Sequence, residues 1–327
     1  MEDLSSNVIL SIKNLKVYYY SPDGVVKAVD GVDLDIEEGE ILALVGESGC
    51  GKTTLGYAIL NLVPPPGKIV EGSIVFKGRD LVKLSREELE KIRGKEITMV
   101  FQDPMASLNP VFRIGDQLLD VVMHKLGVDK DEAYRIVINA LKAVRLPNPE
   151  EIMKRYPHEL SGGMLQRVVI AMAIAPKPSL IIADEPTTAL DVTIQAAILK
   201  LMAELMRELK TTTILITHNM GVVAESADRV AVMYAGTIVE FGNVYRVFKN
   251  PLHPYTEGLL SCVPRADIDI PKLSAIGGEV PSLIDPPPGC RFSTRCPYAK
   301  SVCRHRRPPM IEVEPRHFVS CWRYVER

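Results

Sequence analysis

The sequence predicts an α/β protein: a parallel-sheet core, interrupted by a helical subdomain and followed by a small cysteine-rich module. Three observations carry that prediction. Short β-like runs alternate with helix-like runs over residues 1–250, the pattern of parallel strands joined through helices. The apolar run Glu40–Val45 ends in a glycine-rich turn and opens directly into a helical pattern. From Pro251 onward prolines crowd in, with Pro-Pro-Pro at 286–288 and Pro-Pro at 308–309, and four of the six cysteines fall after residue 289. Hydrophobic residues make up 46% and charged residues 24% of the 327, so a sizeable core is available and wholesale disorder is excluded. At about 150 residues per domain the length favours two domains.

In chain order, Val8–Tyr20 and Val25–Ile36 read as strands, and Glu40–Val45 as a short apolar one. Lys52–Leu62 reads as a helix stopped by Pro64–Pro66. Ile74–Phe76 and Ile97–Val100 are short strands. Residues 113–156 are mostly helical, with Asp129–Val144 the clearest case. Gly162–Ala175 is a helix with Ser161 as its N-cap. Leu180–Ala183 is a buried strand, Asp191–Leu209 a long amphipathic helix, and Thr213–Thr217 and Arg229–Tyr234 are strands. The helical stretch at 103–175 is the expected subdomain. Residues 251–327 are the expected second domain, reached through an irregular connector at Pro264–Pro288.

Several function classes drop out. A net charge of −2 argues against a strongly basic nucleic-acid binder. The longest apolar run, Val168–Ala175, is eight residues, far short of the about 18 that a membrane span needs. The polar, acidic start Met1–Asn7 reads as no secretory signal. The expected compartment is therefore reducing, which favours a metal site over disulfides for the cysteines.

Gly46-Glu47-Ser48-Gly49-Cys50-Gly51-Lys52-Thr53 matches the phosphate-loop pattern, between a strand and a helix as that motif requires. The glycines let the backbone curl so that N–H groups point at phosphate oxygens, and the helix N-terminus favours an anion. Lys52 suits the β- and γ-phosphates, and the Thr53 hydroxyl suits Mg²⁺. Cys50 reads as a small filler within the loop. Further on, Leu180-Ile181-Ile182-Ala183-Asp184-Glu185 is an apolar strand ending in two acids. Asp184 is suited to hold Mg²⁺ and Glu185 to polarise an attacking water.

Three more segments decide the family. Leu160-Ser161-Gly162-Gly163-Met164 precedes Asp184 and opens a helix, Gln102 follows the strand Ile97–Val100, and His218 follows the strand Thr213–Thr217. In this order, with Lys52 and Asp184, the sequence closely resembles the ATP-binding cassette (ABC) ATPases over residues 8–250. The resemblance implies a P-loop NTPase fold and a head-to-tail dimer sandwiching two ATP molecules. It carries the nucleotide contacts through Thr54 and places Ser161, Gly162 and Gly163 on the partner's ATP. Gln102 would sense Mg²⁺ and the attacking water, and His218 would touch the γ-phosphate and steady Glu185. Ala189-Leu190-Asp191 would cross the dimer interface. An aromatic at Tyr19 would stack on adenine, with Tyr18 and Tyr20 beside it as alternatives. Met164 departs from the family, whose signature commonly has Gln there.

The last region has the pattern Cys290-x5-Cys296-x6-Cys303-x17-Cys321. Four thiolates suit one Zn²⁺ or one iron–sulfur cluster, and the wide, irregular spacing fits a cluster at least as well. Residues 286–327 hold nine Lys/Arg against three acids, read as a solvated basic face. Asn250-Pro251-Leu252-His253-Pro254-Tyr255-Thr256, Gly289-Cys290-Arg291-Phe292 and the run from Ala183 to Gln195 resemble the D-type ATPases of dipeptide and oligopeptide importers. That resemblance spans nearly the whole chain. It implies a [4Fe–4S] cluster on Cys290, Cys296, Cys303 and Cys321, and leaves Cys262 structural.

The expected activity is thus ATP hydrolysis that powers peptide import from the cytoplasmic face of the membrane. The implied partners are a distinct F-type ATPase chain, two transmembrane permease subunits and an extracytoplasmic binding protein, with no nucleic acid. The alternatives are an importer ATPase for nickel or oligosaccharide, and a soluble DNA-associated ABC ATPase with a metal module.

Overall fold

The computed structural model describes residues 7–187, 190–262 and 276–325. Ala189 of the expected interface loop and residues 264–275 of the expected connector lie outside them. The described residues form two compact units. One takes in those of Met1–Glu37, Leu42–Lys83 and Thr217–Arg327, the other those of Glu38–Ile41 and Leu84–Ile216.

The first unit begins with β1 (Val8–Ser21) and β2 (Gly24–Glu37), a hairpin closed by Pro22-Asp23. β1 buries Leu10 and Ile12, then Leu15 and Val17. The change from even to odd positions follows a register shift between Ile12 and Leu15, where Asn14 takes a φ of 45°. The irregularity keeps all four apolar side chains on one face, which a regular strand would not do. β3 (Ile41–Val45) is buried throughout and leads through a loop to α1 (Lys52–Ile59). β4 (Gly67–Phe76) and β5 (Arg79–Asp80) complete an antiparallel sheet of order β2-β1-β4-β5. β4 is longer than the expected Ile74–Phe76. Its first half is half-buried to exposed and has no buried position, but its backbone pairs with β1 from Gly67↔Tyr19 onward.

The second unit opens with α2 (Arg86–Ile92), whose capping box joins Ser85 and Glu88. Three parallel strands follow in the order β8-β7-β6: β6 (Ile97–Val100), β7 (Leu180–Asp184) and β8 (Thr212–Ile216). Between β6 and β7 run α3 (Pro104–Ser107), α4 (Ile114–Leu126), α5 (Lys130–Ala143), α6 (Pro149–Lys154) and α7 (Gly162–Ile174). α5 is amphipathic: it buries Ala133, Val137, Ile138 and Leu141, and Asp129 caps it by accepting the Glu132 N–H at 2.9 Å. α8 (Val192–Leu209) joins β7 to β8. Leu180, Ile181 and Ile182 of β7 are at most 1% exposed, each contributing about 1.5–3 kcal/mol of burial.

The chain then returns to the first unit with α9 (Met220–Ser226), β9 (Arg229–Tyr234), β10 (Thr237–Asn243), α10 (Val244–Lys249) and α11 (Pro254–Ser261). It closes with α12 (Ser301–His305), β11 (Ile311–Glu314), β12 (His317–Val319) and α13 (Trp322–Val325). β9 runs parallel to β3, while β10, β12 and β11 add antiparallel strands beyond it. The C-terminal region, expected as a satellite, therefore extends the strands that carry the glycine-rich loop. A buried carboxylate ties it in. Glu240 accepts the Leu252 N–H and His317 Nε2 on Oε1 and the His253 N–H on Oε2, each at 2.8 Å.

Candidate functional site

The first unit holds the phosphate loop between β3 and α1. Gly46 and Gly51 have φ of 154° and 105°, and the backbone leaves no room for a Cβ at either. At Gly46 a Cβ would lie 2.1 Å from the Met233 carbonyl oxygen, and at Gly51 the same distance from that of Ala28. α1 starts with no side-chain cap and no acid in its first turn, so no carboxylate of its own competes at its positive end. Lys52 is buried, and its Nζ donates to the carbonyl oxygens of Gly46 at 2.9 Å and Glu47 at 3.1 Å. Ser48, Gly49 and Thr53 are exposed and Thr54 is half-buried. Cys50 is buried, its Sγ 3.7 Å from Lys52 Nζ, and burial pushes its thiol pKa up despite that cation.

The three tyrosines of β1 differ in what they touch. Tyr18 donates to Asp30 Oδ1 at 2.6 Å, and burial, then Asp30, pushes its hydroxyl up to about 12. Tyr20 is exposed. Tyr19 stands with its hydroxyl 3.4 Å from Thr54 Oγ1, at the first turn of α1. His218 is exposed in the same unit, just before Asn219, which caps α9.

The second unit holds the acidic strand end. Asp184 closes β7 at 2% exposure. Glu185 follows in a left-handed conformation (φ 43°), its N–H donating to the Ile216 carbonyl at 2.9 Å. Gln102 Nε2 reaches the Glu185 Oε2 at 3.5 Å, the outer limit of a hydrogen bond. Ser161 caps α7, its Oγ accepting the Met164 N–H at 3.4 Å. Gly162 and Gly163 form the first turn behind it. A Cβ on Gly162 would lie 2.9 Å from Leu190.

Cys290, Cys296, Cys303 and Cys321 line one small cavity, with His253, Phe292 and Trp322. None is in a disulfide. Backbone hydrogen bonds hold three of them: Cys290 N–H to the Cys303 carbonyl at 2.8 Å, Cys296 N–H to that of Phe292 at 3.0 Å, and Cys303 N–H to that of Lys300 at 3.0 Å. Burial pushes the Cys290 thiol up to about 12, with the other three sulfurs adding to the rise. The expectation of a metal-ligand group is not met in its simplest form. Among the described residues, no three His, Cys, Asp or Glu side chains converge as ligands of one metal ion. The four cysteines share the lining of that one cavity.

Three contacts at the phosphate loop have no counterpart in the sequence reading. Arg295 grips the Glu47 carboxylate with both terminal nitrogens, at 2.7 and 3.1 Å. The Tyr255 hydroxyl accepts the Glu47 N–H at 2.8 Å. The Gly236 N–H donates to the Cys50 carbonyl at 2.8 Å. Tyr255 lies inside a stretch the sequence singles out, but nothing local assigns it a role.

Comparison with known proteins agrees with both regions. Residues 29–188 match the family described as ABC transporter, and residues 239–303 match the oligopeptide/dipeptide transporter, C-terminal region. The chain is 48% identical to the dipeptide transport ATP-binding protein DppD of Bacillus subtilis, over 98% of this chain and 96% of that one. It is 46% identical to the oligopeptide transport ATP-binding protein OppD of Escherichia coli, over 98% and 95%. Among solved structures, the ATP-binding cassette MJ0796 bound to ADP and Pi superposes with a TM-score of 0.63 at 29% identity. That match covers 72% of this chain and 98% of that one.

Proposed function

The chain belongs to the ABC transporter family, and from that premise we propose that it is the ATP-hydrolysing subunit of a dipeptide or oligopeptide importer. The observation that supports this best is continuity. One chain joins a phosphate loop to the peptide-transporter C-terminal region and matches peptide-transport ATPases over nearly its full length.

The roles follow from chemistry at each residue. The loop from Gly46 through Ser48, Gly49, Cys50 and Gly51 cradles the phosphates with main-chain N–H groups, and Lys52 neutralises them. Thr53 and Thr54 extend the cradle, and Tyr19 stacks on the base. Thr53, Gln102 and Asp184 are the residues that would hold Mg²⁺, which shields the phosphate charge. Glu185 takes the proton of the attacking water, with Gln102 and His218 orienting it. Ser161, Gly162 and Gly163 offer a capped helix start to the ATP of a second cassette. As a nucleotide-binding part, residues 1–250 include the helical subdomain at 103–175, and residues 251–327 are the transporter-type C-terminal part.

Cys290, Cys296, Cys303 and Cys321 are the residues that would hold a [4Fe–4S] cluster, with one Zn²⁺ as the alternative; what supports this reading is that all four line one cavity. The Lys300 N–H already points at Cys303 Sγ at 3.4 Å, the kind of bond that sulfur ligands of clusters receive. A cluster held by these residues would supply a one-electron couple.

Two transmembrane permease subunits, an extracytoplasmic binding protein and a second, F-type ATPase chain complete the proposed assembly, with this chain on the cytoplasmic face. Among the described residues no helix is long and apolar enough to cross a membrane, so the permease subunits supply the membrane path. The test is reconstitution of the transporter in vesicles. ATP-driven uptake of a labelled dipeptide that vanishes with Lys52→Ala supports the reading. Uptake unchanged by Lys52→Ala, or uptake of nickel and not of peptides, overturns it.

A further inference from the structure

We infer that the C-terminal region is a working part of the nucleotide site: Arg295 and Tyr255 are positioning residues that fix the phosphate loop and cancel the Glu47 charge within it. The inference rests on the ATP-site reading above and deepens it.

Glu47 is the second residue of a loop whose purpose is to receive a polyanion. A lone carboxylate there repels phosphate oxygens. The structure pairs it. Arg295 Nη1 and Nη2 bind its two oxygens at 2.7 and 3.1 Å. The rest of the guanidinium is also spoken for: Nη1 donates to the Tyr234 hydroxyl at 3.3 Å, Nη2 to the Ile276 carbonyl at 3.1 Å and Nε to the Gly277 carbonyl at 2.9 Å. These contacts use all five N–H donors of a side chain only 4% exposed. A lysine, with one nitrogen, reproduces the charge but not the fork.

The main chain of Glu47 is held as firmly. Its N–H is committed to Tyr255, and its carbonyl accepts from Lys52 Nζ at 3.1 Å and from the Cys50 N–H at 3.3 Å. The Tyr255 ring is fully buried, 4.5 Å from the ring of Tyr234 and 5.5 Å from that of Phe292. With both its peptide groups engaged, the Glu47 backbone is held from turning, and the next loop residues start from a fixed point. Two of these anchors come from beyond residue 250, and Arg295 immediately precedes Cys296 of the cysteine cavity.

The test is the dissociation constant of Mg·ATP for the purified full chain, by titration calorimetry, alongside thermal unfolding. Arg295→Gln leaves the Glu47 charge exposed to the phosphates and weakens binding about tenfold, one charge-assisted contact's worth. Arg295→Lys recovers part of that loss. Adding Glu47→Gln to Arg295→Gln removes the stranded charge and restores binding to within about threefold of the starting chain, while the unfolding midpoint stays low. A merely structural Arg295 does not give that rescue. Wild-type affinity in Arg295→Gln overturns the inference, as does a double variant as weak as Arg295→Gln alone. Should Arg295→Gln fail to fold, Tyr255→Phe keeps the ring and drops one acceptor; the inference then requires about threefold weaker binding, and unchanged binding overturns it. Lys52→Ala separates the two readings. If it binds Mg·ATP as well as the starting chain, the ATP site itself is wrong; if it fails while Arg295→Gln binds normally, only the present inference falls.

Discussion

Asp30 and Arg291 stand 261 residues apart in the chain and form a buried ion pair, their side chains 5% and 2% exposed. Arg307 joins the same carboxylate, and the Tyr18 hydroxyl donates to its other oxygen at 2.6 Å. Burial alone would raise the Asp30 pKa, but Tyr18, Arg307 and Arg291 outweigh it and hold the carboxyl below its usual value.

Removing Asp30 strands a buried guanidinium. Asp30→Ala is expected to cost about 3–5 kcal/mol in urea unfolding, and Asp30→Asn, which keeps an acceptor, less. Equal midpoints for Asp30→Ala and the starting chain would show that the pair adds nothing. The sign for pH follows from the lowered pKa: the contribution is complete above the unfolded value and is lost as pH falls through the folded one.

His253 offers a second pH test. Burial pushes its pKa down to about 3, while its Nδ1 accepts the Tyr255 N–H at 3.1 Å. In the unfolded chain it titrates near about 6.5. Between those values the unfolded chain holds a proton that the folded chain does not. Stability therefore falls as pH drops from about 6.5 towards 3, by up to about 1.4 kcal/mol per unit. His253→Asn keeps an acceptor for the helix cap and removes the titration, so its pH profile should be flatter. Identical slopes in the two proteins would assign the acid sensitivity elsewhere.

Glu185→Gln should lower ATP turnover by about 10²–10⁴ while leaving the Mg·ATP dissociation constant within about threefold, because it removes a base and no phosphate contact. Turnover close to that of the starting chain would mean that another group activates the water.

Anaerobically purified protein should contain about four iron and four sulfide per chain, and Cys303→Ser should lower both. About one zinc without sulfide would replace the cluster with a single-ion clip.

The parallel core was legible because its strands are short, apolar and punctuated. Ile97–Val100 and Arg229–Tyr234 have the bounds that their sequence suggests. The phosphate loop was legible because its glycines are demanded by backbone crowding at Met233 and Ala28, which few other sequences satisfy. The expected strand was shorter than β4 because nothing in Gly67–Ser73 is fully buried, so its pairing with β1 leaves little hydropathy trace. α2 was missed although Ser85 and Glu88 spell a capping box. Of the three tyrosines, the family resemblance singled out Tyr19; the structure adds that Tyr18 is bonded to Asp30 and Tyr19 lies beside Thr54, contacts with no local sequence signal. The grip of Arg295 on Glu47 has no local signal at all, because it joins two ordinary charged residues through the tertiary fold.

That grip also sets a timetable. Glu47 and Arg295 are 248 residues apart. At synthesis rates of about 5–20 residues per second, the loop is made roughly 10–50 s before its partner. Through that interval the nascent chain has its phosphate motif but not the guanidinium that closes over Glu47. A message cut short after residue 250, or a protease nick ahead of Arg295, yields a product with every nucleotide motif present and the loop still waiting for its clasp.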